Sequence, residues 1–283
     1  PNIHALAVKG DFDDCQAVVK KMFNNFEFRD RVRLTGVNSI NWARIMSQIV
    51  YFFSSALCLG APYKKVSFTV PTGNFGDIFA AYAAKKMGLP INKLIIATNE
   101  NDILHRTLLT GSYRKQGLVQ TISPSMDIQV SSNFERLLFD LSNNNGELVK
   151  SLMHQLTCKG KFDLNSFILE KFKENFSSGS VTEREIENTM NSVLKDCGEL
   201  ICPHTAIGVN VAKKENSFIN DTTMITLATA HPAKFPDAVT KFTGRAPVLP
   251  SRYSELFSRK EVMISVNNSV DQIQRIISER TLH

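Results

Sequence analysis

The stretch Lys64–Gly88 limits most strongly what this chain can fold into, because it contains a strand, a glycine loop and a helix in immediate succession. An apolar run ends at Pro71, the loop Gly73–Asp77 follows, and an alanine-rich helix continues to Gly88. The first helical turn has backbone N–H groups without intrahelical partners, and glycine lets a backbone approach a bound group closely. The segment therefore predicts either a phosphate-binding loop or an ordinary tight turn between strand and helix.

The loop is not one of the common nucleotide-binding loops. The pattern GxxxxGK[ST] does not occur in it, so the lysine that a P-loop places on phosphates is missing. The dinucleotide fingerprint GxGxxG does not occur either. Asp77 argues partly against an anion, because a carboxylate in the first turn would compete for the same N–H donors.

Length and composition are typical of an ordinary globular protein. The chain has 283 residues, 43% of them hydrophobic and 21% charged, with a net charge of +6. The positive charge forms no stripe with interleaved aromatic residues, so we expect no nucleic-acid partner. No apolar run reaches the length of a membrane span, and we expect no membrane partner. The start at Pro1, directly before a strand-like segment, leads us to expect further residues before it.

The five cysteines are scattered and odd in number, which is typical of reduced thiols in the cytoplasm. Cys197, Cys202 and His204 lie close enough in sequence to suggest a zinc site. No fourth ligand is evident, so structural thiols are favoured and no metal is predicted.

Strand and helix patterns alternate along the chain, and the strands are continuously apolar. This order predicts an α/β fold with a mostly parallel sheet covered by helices on both faces. We divide the chain into an α/β region with the glycine loop (1–141), a helical insertion (142–198) and a return to α/β with peripheral elements (199–283). Short strands are predicted at Val32–Val37 and Val119–Ile122, and a loop at 177–180.

Three further sites carry local signals. Asn38, Ser39 and Asn41 precede a long helix and are either its cap or a polar site loop. Thr182 and Glu185 have the spacing of a capping box. The strand at 222–228 runs into a polar turn, and such turns line the ligand crevice in open parallel sheets; the turn contains Thr229, His231 and Lys234.

Six blocks of the sequence resemble the threonine synthase family, in its longer branch from bacteria and fungi. They are VNSINWARI (37–45), FTVPTGNFGDIFAAYAAKKMGLP (68–90), ATNENDILHRTLLTG (97–111), SPSMDIQVSSNFERLLF (123–139), PHTAIGV (203–209) and TLATAHPAKFP (226–236). The resemblance implies the tryptophan-synthase β-like fold, fold type II of the pyridoxal 5'-phosphate (PLP) enzymes. It also implies conversion of O-phospho-L-homoserine and water to L-threonine and phosphate. We expect the protein to be a monomer or homodimer.

The resemblance also implies roles for individual residues. The cofactor phosphate would be cradled by the loop residues Gly73, Asn74, Phe75, Gly76 and Asp77. The Thr229 hydroxyl would meet the pyridine nitrogen of the cofactor. The substrate side would include Asn38, Ser39 and Asn41, and either substrate contact or helix entry would be the role of His231 and Lys234.

The chain departs from the family in one respect. The family's Schiff-base lysine lies in a segment resembling LAFKD, and no such segment occurs here. The cofactor aldehyde needs an amine, so we expect the catalytic lysine to lie outside this chain and its activity alone to be doubtful. Alternatives are a non-catalytic PLP-binding protein, a related serine/threonine dehydratase, and a sugar-phosphate or nucleotide binder.

Overall fold

The computed structural model describes residues 3–10, 12–38, 41–216 and 222–281. Its strands are β1 (Leu6–Val8), β2 (Val66–Pro71), β3 (Ile91–Thr98), β4 (Ser112–Arg114), β5 (Lys161–Asp163), β6 (Phe176–Ser180), β7 (Thr223–Thr226) and β8 (Ile264–Val266). Its α-helices are α1 (Phe12–Asn24), α2 (Phe26–Arg31), α3 (Trp42–Cys58), α4 (Gly76–Lys86), α5 (Ile103–Thr110), α6 (Phe134–Leu141), α7 (Gly146–Lys159), α8 (Ser166–Asn175), α9 (Glu183–Cys197), α10 (Pro203–Asn216), α11 (Pro236–Thr243) and α12 (Val270–Thr281). Short 3-10 turns occur at Pro124–Met126, Pro232–Lys234, Ser251–Tyr253 and Leu256–Ser258.

The elements form two units, Val37–Val248 and the combination of Pro1–Gly36 with Leu249–His283. This division differs from the three regions expected from the sequence. The first and last segments belong together because β1 pairs with β8 in parallel, with Leu6 opposite Ile264.

The larger unit is built on a four-stranded sheet in the order β6-β3-β2-β7, and every pair in it is parallel. All six residues of β2 are buried. Side chains of β3 alternate between the two faces, so that Leu94 and Ile96 join one hydrophobic cluster while Ile95 and Ala97 join another. Burial on both faces explains why these strands are continuously apolar, and the predicted α/β class is confirmed.

Helices cover both faces of this sheet. On one face, α3, α4 and α6 supply residues such as Ile45, Ile78 and Leu137 to the larger cluster. On the other face, α9 and α10 supply Ile186 and Ile207. Four residues of α6, which spans Phe134–Leu141, are buried.

Residues 142–198, expected to be a helical insertion, are part of the sheet architecture. They do contain α7, α8 and α9, but β6 extends the central sheet by pairing with β3. All of the loop predicted at 177–180 is therefore strand, so this prediction is wrong. The strand β5 pairs antiparallel with β4. The capping box of Thr182 and Glu185 is present at the start of α9, as predicted.

Two predicted short strands are absent from the described residues. At 32–37 the backbone instead ends α2, since the Val32 N–H donates to Phe28 O at 3.1 Å. At 119–122 the backbone of Val119 is hydrogen-bonded to the Asn101 side chain, which donates to Val119 O and accepts from Val119 N–H. Both stretches mix apolar with polar residues, but neither pairs with a strand among the described residues.

The smaller unit has its own core, in which Val18, Phe28, Val266 and Ile273 are buried. Its strand β8 and helix α12 lie in the region 199–283, where peripheral elements were expected. Within the part of the chain that the structure describes, no helix is long and apolar enough to cross a membrane.

Candidate functional site

The candidate site lies where the parallel strands of the larger unit end. The chain passes from β2 to β3 and β6 on one side, and then returns to β7 on the other side of β2. The order therefore reverses between β2 and β7, and ligands bind at such a reversal, outside the carboxyl ends of the strands. The glycine loop follows β2 and the turn with Thr229 follows β7, so both lie at this edge.

The glycine loop is fixed by a buried phenylalanine. Phe75 is the N-cap of α4 and adopts the left-handed conformation, with φ 63° and ψ 7°. This conformation is unusual for a bulky residue and is held by packing, since the Phe75 ring lies 5.4 Å from Phe134 and 5.9 Å from Phe176. The left-handed conformation in this loop belongs to Phe75 alone, since neither Gly73 nor Gly76 has a positive φ.

Gly73 is required by close approach. A Cβ built on it would lie 2.8 Å from Ser125 O and 3.4 Å from Met126 Cα, both of them backbone atoms. The 3-10 turn Pro124–Met126 thus leaves no space for a side chain at this position. The close approach at Gly73 is therefore to the backbone of this turn, whereas the approach expected from the sequence was to a bound group.

The N–H groups of the loop are free to bind an anion. Within the described chain, none of the N–H groups of residues 74–78 donates a hydrogen bond to the protein. The carbonyl groups are occupied: Gly73 O accepts from Ser131 Oγ at 2.7 Å, and Asn74 O accepts from Asn133. Free donors beside a helix N-terminus are what a phosphate group needs.

Asp77 lies in the first turn of α4 but does not take these donors. Its Oδ1 atom is buried and has no hydrogen-bond partner. Burial raises the pKa of the Asp77 carboxyl to about 6, and the Arg44 guanidinium on α3 opposes this shift. The competition expected from the sequence is therefore not seen in the hydrogen bonds.

The start of α3 carries the residues expected on the substrate side. Asn41 is the N-cap of α3, and its Oδ1 accepts from Ala43 N–H at 2.8 Å. This contact agrees with the helix cap, the first of the two roles considered for Asn41. Asn41 and Arg44 also line a cavity of about 450 Å³. Asn38 is exposed, and Ser39 lies outside the described residues.

A second cavity, of about 710 Å³, lies between α3, α4, α6 and α7, and is lined by Trp42, Phe79 and Phe139. None of the loop residues 73–77 lines it. We place the candidate site at the strand ends, because the free N–H donors and the strand reversal are there.

The turn after β7 presents an exposed threonine. Thr229 is solvent-accessible and its hydroxyl makes no hydrogen bond to the described chain. His231 caps the turn Pro232–Lys234, with Nδ1 accepting from Ala233 N–H at 3.1 Å. This contact is the helix-entry role considered for His231, while the Lys234 side chain is exposed.

His204 is a site candidate that the sequence analysis treated only as a metal ligand. It is 4% exposed, and neither ring nitrogen has a hydrogen-bond partner among the described residues. Burial lowers the pKa of its imidazole to about 4; the Asp127 carboxylate opposes this shift, and the Lys234 ammonium adds to it. The ring is therefore neutral near pH 7 and able to donate at one nitrogen and accept at the other.

The position of His204 follows from helix geometry. Four residues later, a Cβ on Gly208 would lie 3.1 Å from Pro71 and 2.8 Å from Thr226, which end β2 and β7. Residues four apart share a helix face, and α10 packs on both strands. His204 therefore faces the loops that follow β2 and β7.

Buried polar side chains complete this edge at the end of β3. Asn99 is 1% exposed and donates to Thr121 Oγ1, Ser123 Oγ and Asp127 Oδ1 at 2.8–2.9 Å. This network fixes the segment whose Ser125 carbonyl would clash with a Cβ on Gly73. No local pattern in the sequence indicates these pairings.

The zinc alternative finds no support in the geometry. Among the described residues, no group of three or more His, Cys, Asp and Glu side chains could hold a metal ion. Cys197 is exposed, and the buried Cys202 thiol lies 3.2 Å from Thr205 Oγ1.

Known proteins resemble this chain over nearly its whole length. The family profile "Threonine synthase, C-terminal" matches residues 205–277. A threonine synthase from Pseudomonas aeruginosa is 48% identical over 279 residues, which are 98% of this chain and 59% of that protein. The chain thus spans about three fifths of the length of this relative.

Solved structures agree with these sequence matches. A PLP-bound threonine synthase from Brucella melitensis superposes with a TM-score of 0.93 at 52% identity, covering 99% of this chain and 60% of that one. The yeast threonine synthase superposes with a TM-score of 0.86 at 40% identity, covering 98% and 59%. The fold expected from the resemblance is therefore confirmed, and the chain belongs to the threonine synthase family.

Proposed function

We propose that this chain forms the PLP-binding part of a threonine synthase, which converts O-phospho-L-homoserine and water to L-threonine and phosphate. The observation that carries the proposal is the loop Gly73–Asp77, whose backbone N–H groups are free at the carboxyl end of β2. Family membership supports the choice of PLP, since the Brucella melitensis relative binds it.

The residues at this edge fit such a cofactor. The N–H groups of residues 74–78 would hold its phosphate, and Gly73 would keep the loop close to the 3-10 turn behind it. The Thr229 hydroxyl would bond the pyridine nitrogen, since it has no partner in the described chain. When bound, PLP supplies the electron sink that lets protons leave carbon atoms of an amino acid.

The substrate side of the proposed site is the start of α3 and the turn after β7. Asn38, Ser39 and Asn41 would contact the amino-acid substrate, and the cavity beside Asn41 supports this assignment. The exposed Lys234 ammonium would attract the anionic substrate. The amine that holds the cofactor aldehyde is proposed to lie outside residues 1–283.

One experiment tests cofactor and amine together. The chain is incubated with PLP, reduced with borohydride, and measured by intact mass. Reversible PLP binding without a specific adduct is expected. A stable adduct on one lysine would refute the proposal that the amine lies elsewhere, and absence of any PLP binding would refute the cofactor assignment.

Turnover tests the reaction. The complete enzyme is expected to release phosphate from O-phospho-L-homoserine and to form no keto acid from serine or threonine. The opposite result would assign it to the dehydratases. We propose action in the cytoplasm as a monomer or homodimer, and sedimentation analysis tests the oligomeric state.

A further inference from the structure

The segment Ser131–Asn133, which we call the carbonyl clamp, donates hydrogen bonds to backbone carbonyls of the glycine loop. Ser131 Oγ donates to Gly73 O at 2.7 Å. The backbone N–H and the side-chain Nδ2 of Asn133 both donate to Asn74 O at 3.0 Å. Asn133 precedes α6 as its N-cap, yet its side chain makes no capping hydrogen bond to that helix. Its amide Nδ2 is directed to the loop instead, while its Oδ1 accepts from Arg136 Nε on α6 at 3.0 Å.

The geometry of the peptide group determines where the N–H groups next to these carbonyls point. A trans peptide is planar, so the carbonyl of one residue and the N–H of the next point in opposite directions. The bonds from Gly73 to Asn74 and from Asn74 to Phe75 are trans. Holding the two carbonyls against the clamp therefore directs the N–H groups of Asn74 and Phe75 away from it, where they find no acceptor in the described chain.

We propose that Ser131 and Asn133 are positioning residues that orient the N–H groups of Asn74 and Phe75 toward the phosphate of a bound ligand. The inference rests on the proposed function for the identity of that ligand. The chemistry that it assigns is recognition of a phosphate monoester, because free backbone donors beside a helix N-terminus bind that group.

The clamp is itself held rigidly, which positioning requires. The Ser131 N–H donates to Tyr113 Oη at 2.8 Å, and both residues are buried. The Tyr113 ring stacks between Phe162 at 4.8 Å and Phe134 at 5.4 Å. Phe134 also contacts Phe75 in the loop, so clamp and loop are anchored in one aromatic cluster.

A purely structural role for these hydrogen bonds makes a different prediction. If Ser131 and Asn133 only stabilised the fold, their loss would weaken every ligand at the site alike. If they orient the phosphate donors, their loss weakens ligands that carry a phosphate and spares those that lack one. PLP and pyridoxal differ in that group alone, so the ratio of their dissociation constants separates the two roles.

The experiment measures binding of PLP and of pyridoxal to wild type, Ser131→Ala and Ser131→Ala/Asn133→Ala by equilibrium dialysis. We expect PLP affinity to fall about ten-fold in the single variant, because a misdirected Asn74 N–H loses its hydrogen bond to the charged phosphate. Pyridoxal affinity is expected to stay within about two-fold. Equal losses for both ligands, or no loss for either, would overturn the proposal.

Two control variants lie outside the site. Ser142→Ala removes a hydroxyl that donates to Phe139 O after α6. Asn145→Ala removes the side chain that caps α7, and so lowers stability without touching the loop. Both should keep the PLP-to-pyridoxal ratio of wild type. If the ratio also changes in Asn145→Ala, lost stability alone explains the change in the clamp variants, and the positioning role is overturned.

A titration with inorganic phosphate distinguishes failure of the clamp proposal from failure of the proposed cofactor. In wild type, titration with phosphate should shift the amide resonances of Asn74 and Phe75, and the double variant should lose these shifts. If phosphate shifts them but PLP does not bind, the cofactor assignment fails and the clamp stands. If neither phosphate nor PLP shifts them in wild type, the clamp proposal fails as well.

Discussion

Substitution of Gly73 by alanine should damage both the fold and the anion site. The Cβ that alanine adds would stand 2.8 Å from Ser125 O and 3.4 Å from Met126 Cα. Both neighbours are backbone atoms, and the turn that contains them is fixed by the network of Asn99 and Asp127. The clash therefore has to be relieved by movement of the loop.

The size of the effect follows from this geometry. Gly73 does not have a left-handed φ, so alanine carries no dihedral strain there and the cost is steric alone. Overpacking of this kind costs about 1–3 kcal/mol. For a unit of this size, each kcal/mol lowers the melting temperature by about 2–4 °C. We therefore expect a decrease of roughly 2–12 °C, with weaker binding of phosphate.

The assay is thermal unfolding of Gly73→Ala beside Gly117→Ala, followed by phosphate titration of both proteins. A Cβ on Gly117 meets no atom within 4 Å, and this residue also has no left-handed φ. Alanine there should be neutral or stabilise by about 0.4–1 kcal/mol, because the unfolded chain loses freedom. If Gly73→Ala unfolds at the temperature of Gly117→Ala and binds phosphate as well as wild type does, close approach does not explain this glycine.

Three further variants test the buried polar groups. Asp77→Asn should raise the free energy of unfolding by about 1–3 kcal/mol at pH 8, where the Asp77 carboxyl is charged, and change it little at pH 4, where the carboxyl is already protonated. Equal changes in urea unfolding at both pH values would contradict this. His204→Gln should reduce the loss of stability as pH falls from 6.5 to 4, since no buried imidazole then has to stay unprotonated; a profile as steep as that of wild type would contradict this. Tyr113→Phe should cost about 1–3 kcal/mol by leaving the Ser131 N–H without its acceptor, whereas Tyr51→Phe on the exposed side of α3 should be neutral; equal effects in chemical denaturation would refute the role of that bond.

Local signals in the sequence predicted the elements that position the site. Apolar residues predicted the strand β2, glycines predicted the loop after it, and alanines predicted the helix α4. The structure has these three elements in that order. The capping box of Thr182 and Glu185 was likewise correct, because its donors and acceptors lie within one turn of the chain. Signals of this kind need only the neighbouring residues.

Contacts between distant segments could not be predicted in this way. The stretch 177–180 has three serines and a glycine and was predicted to be a loop, yet pairing with β3 makes all of it strand. Gly179 is needed there because a Cβ would lie 2.8 Å from Val211 on α10. In the same way, nothing beside Ser131 or Asn133 in sequence indicates that they bond the loop some 58 residues earlier.

The half-buried Asp77 and the buried His204 have opposite effects on stability over nearly the same pH range. Asp77 has a folded pKa of about 6 and an ordinary value of 3.8, so between these values the folded state holds more protons and stability rises as pH falls. His204 has a folded pKa of about 4 and an ordinary value of 6.5, so between these values the unfolded state holds more protons and stability falls with pH. The two contributions offset each other between pH 4 and 6, and the wild-type profile there conceals both.

Both shifts favour the neutral form of the side chain, which indicates that this edge of the sheet stabilises charge poorly when no ligand is bound. A bound phosphate would raise the pKa of both groups, because an anion disfavours the Asp77 carboxylate and favours a protonated His204. Near pH 7 the His204 ring would remain neutral, since its pKa starts from about 4, whereas Asp77 starts from about 6 and would take up a proton. Protonation would remove the repulsion between Asp77 and the phosphate, so a carboxyl group in the first turn of α4 is compatible with an anion site.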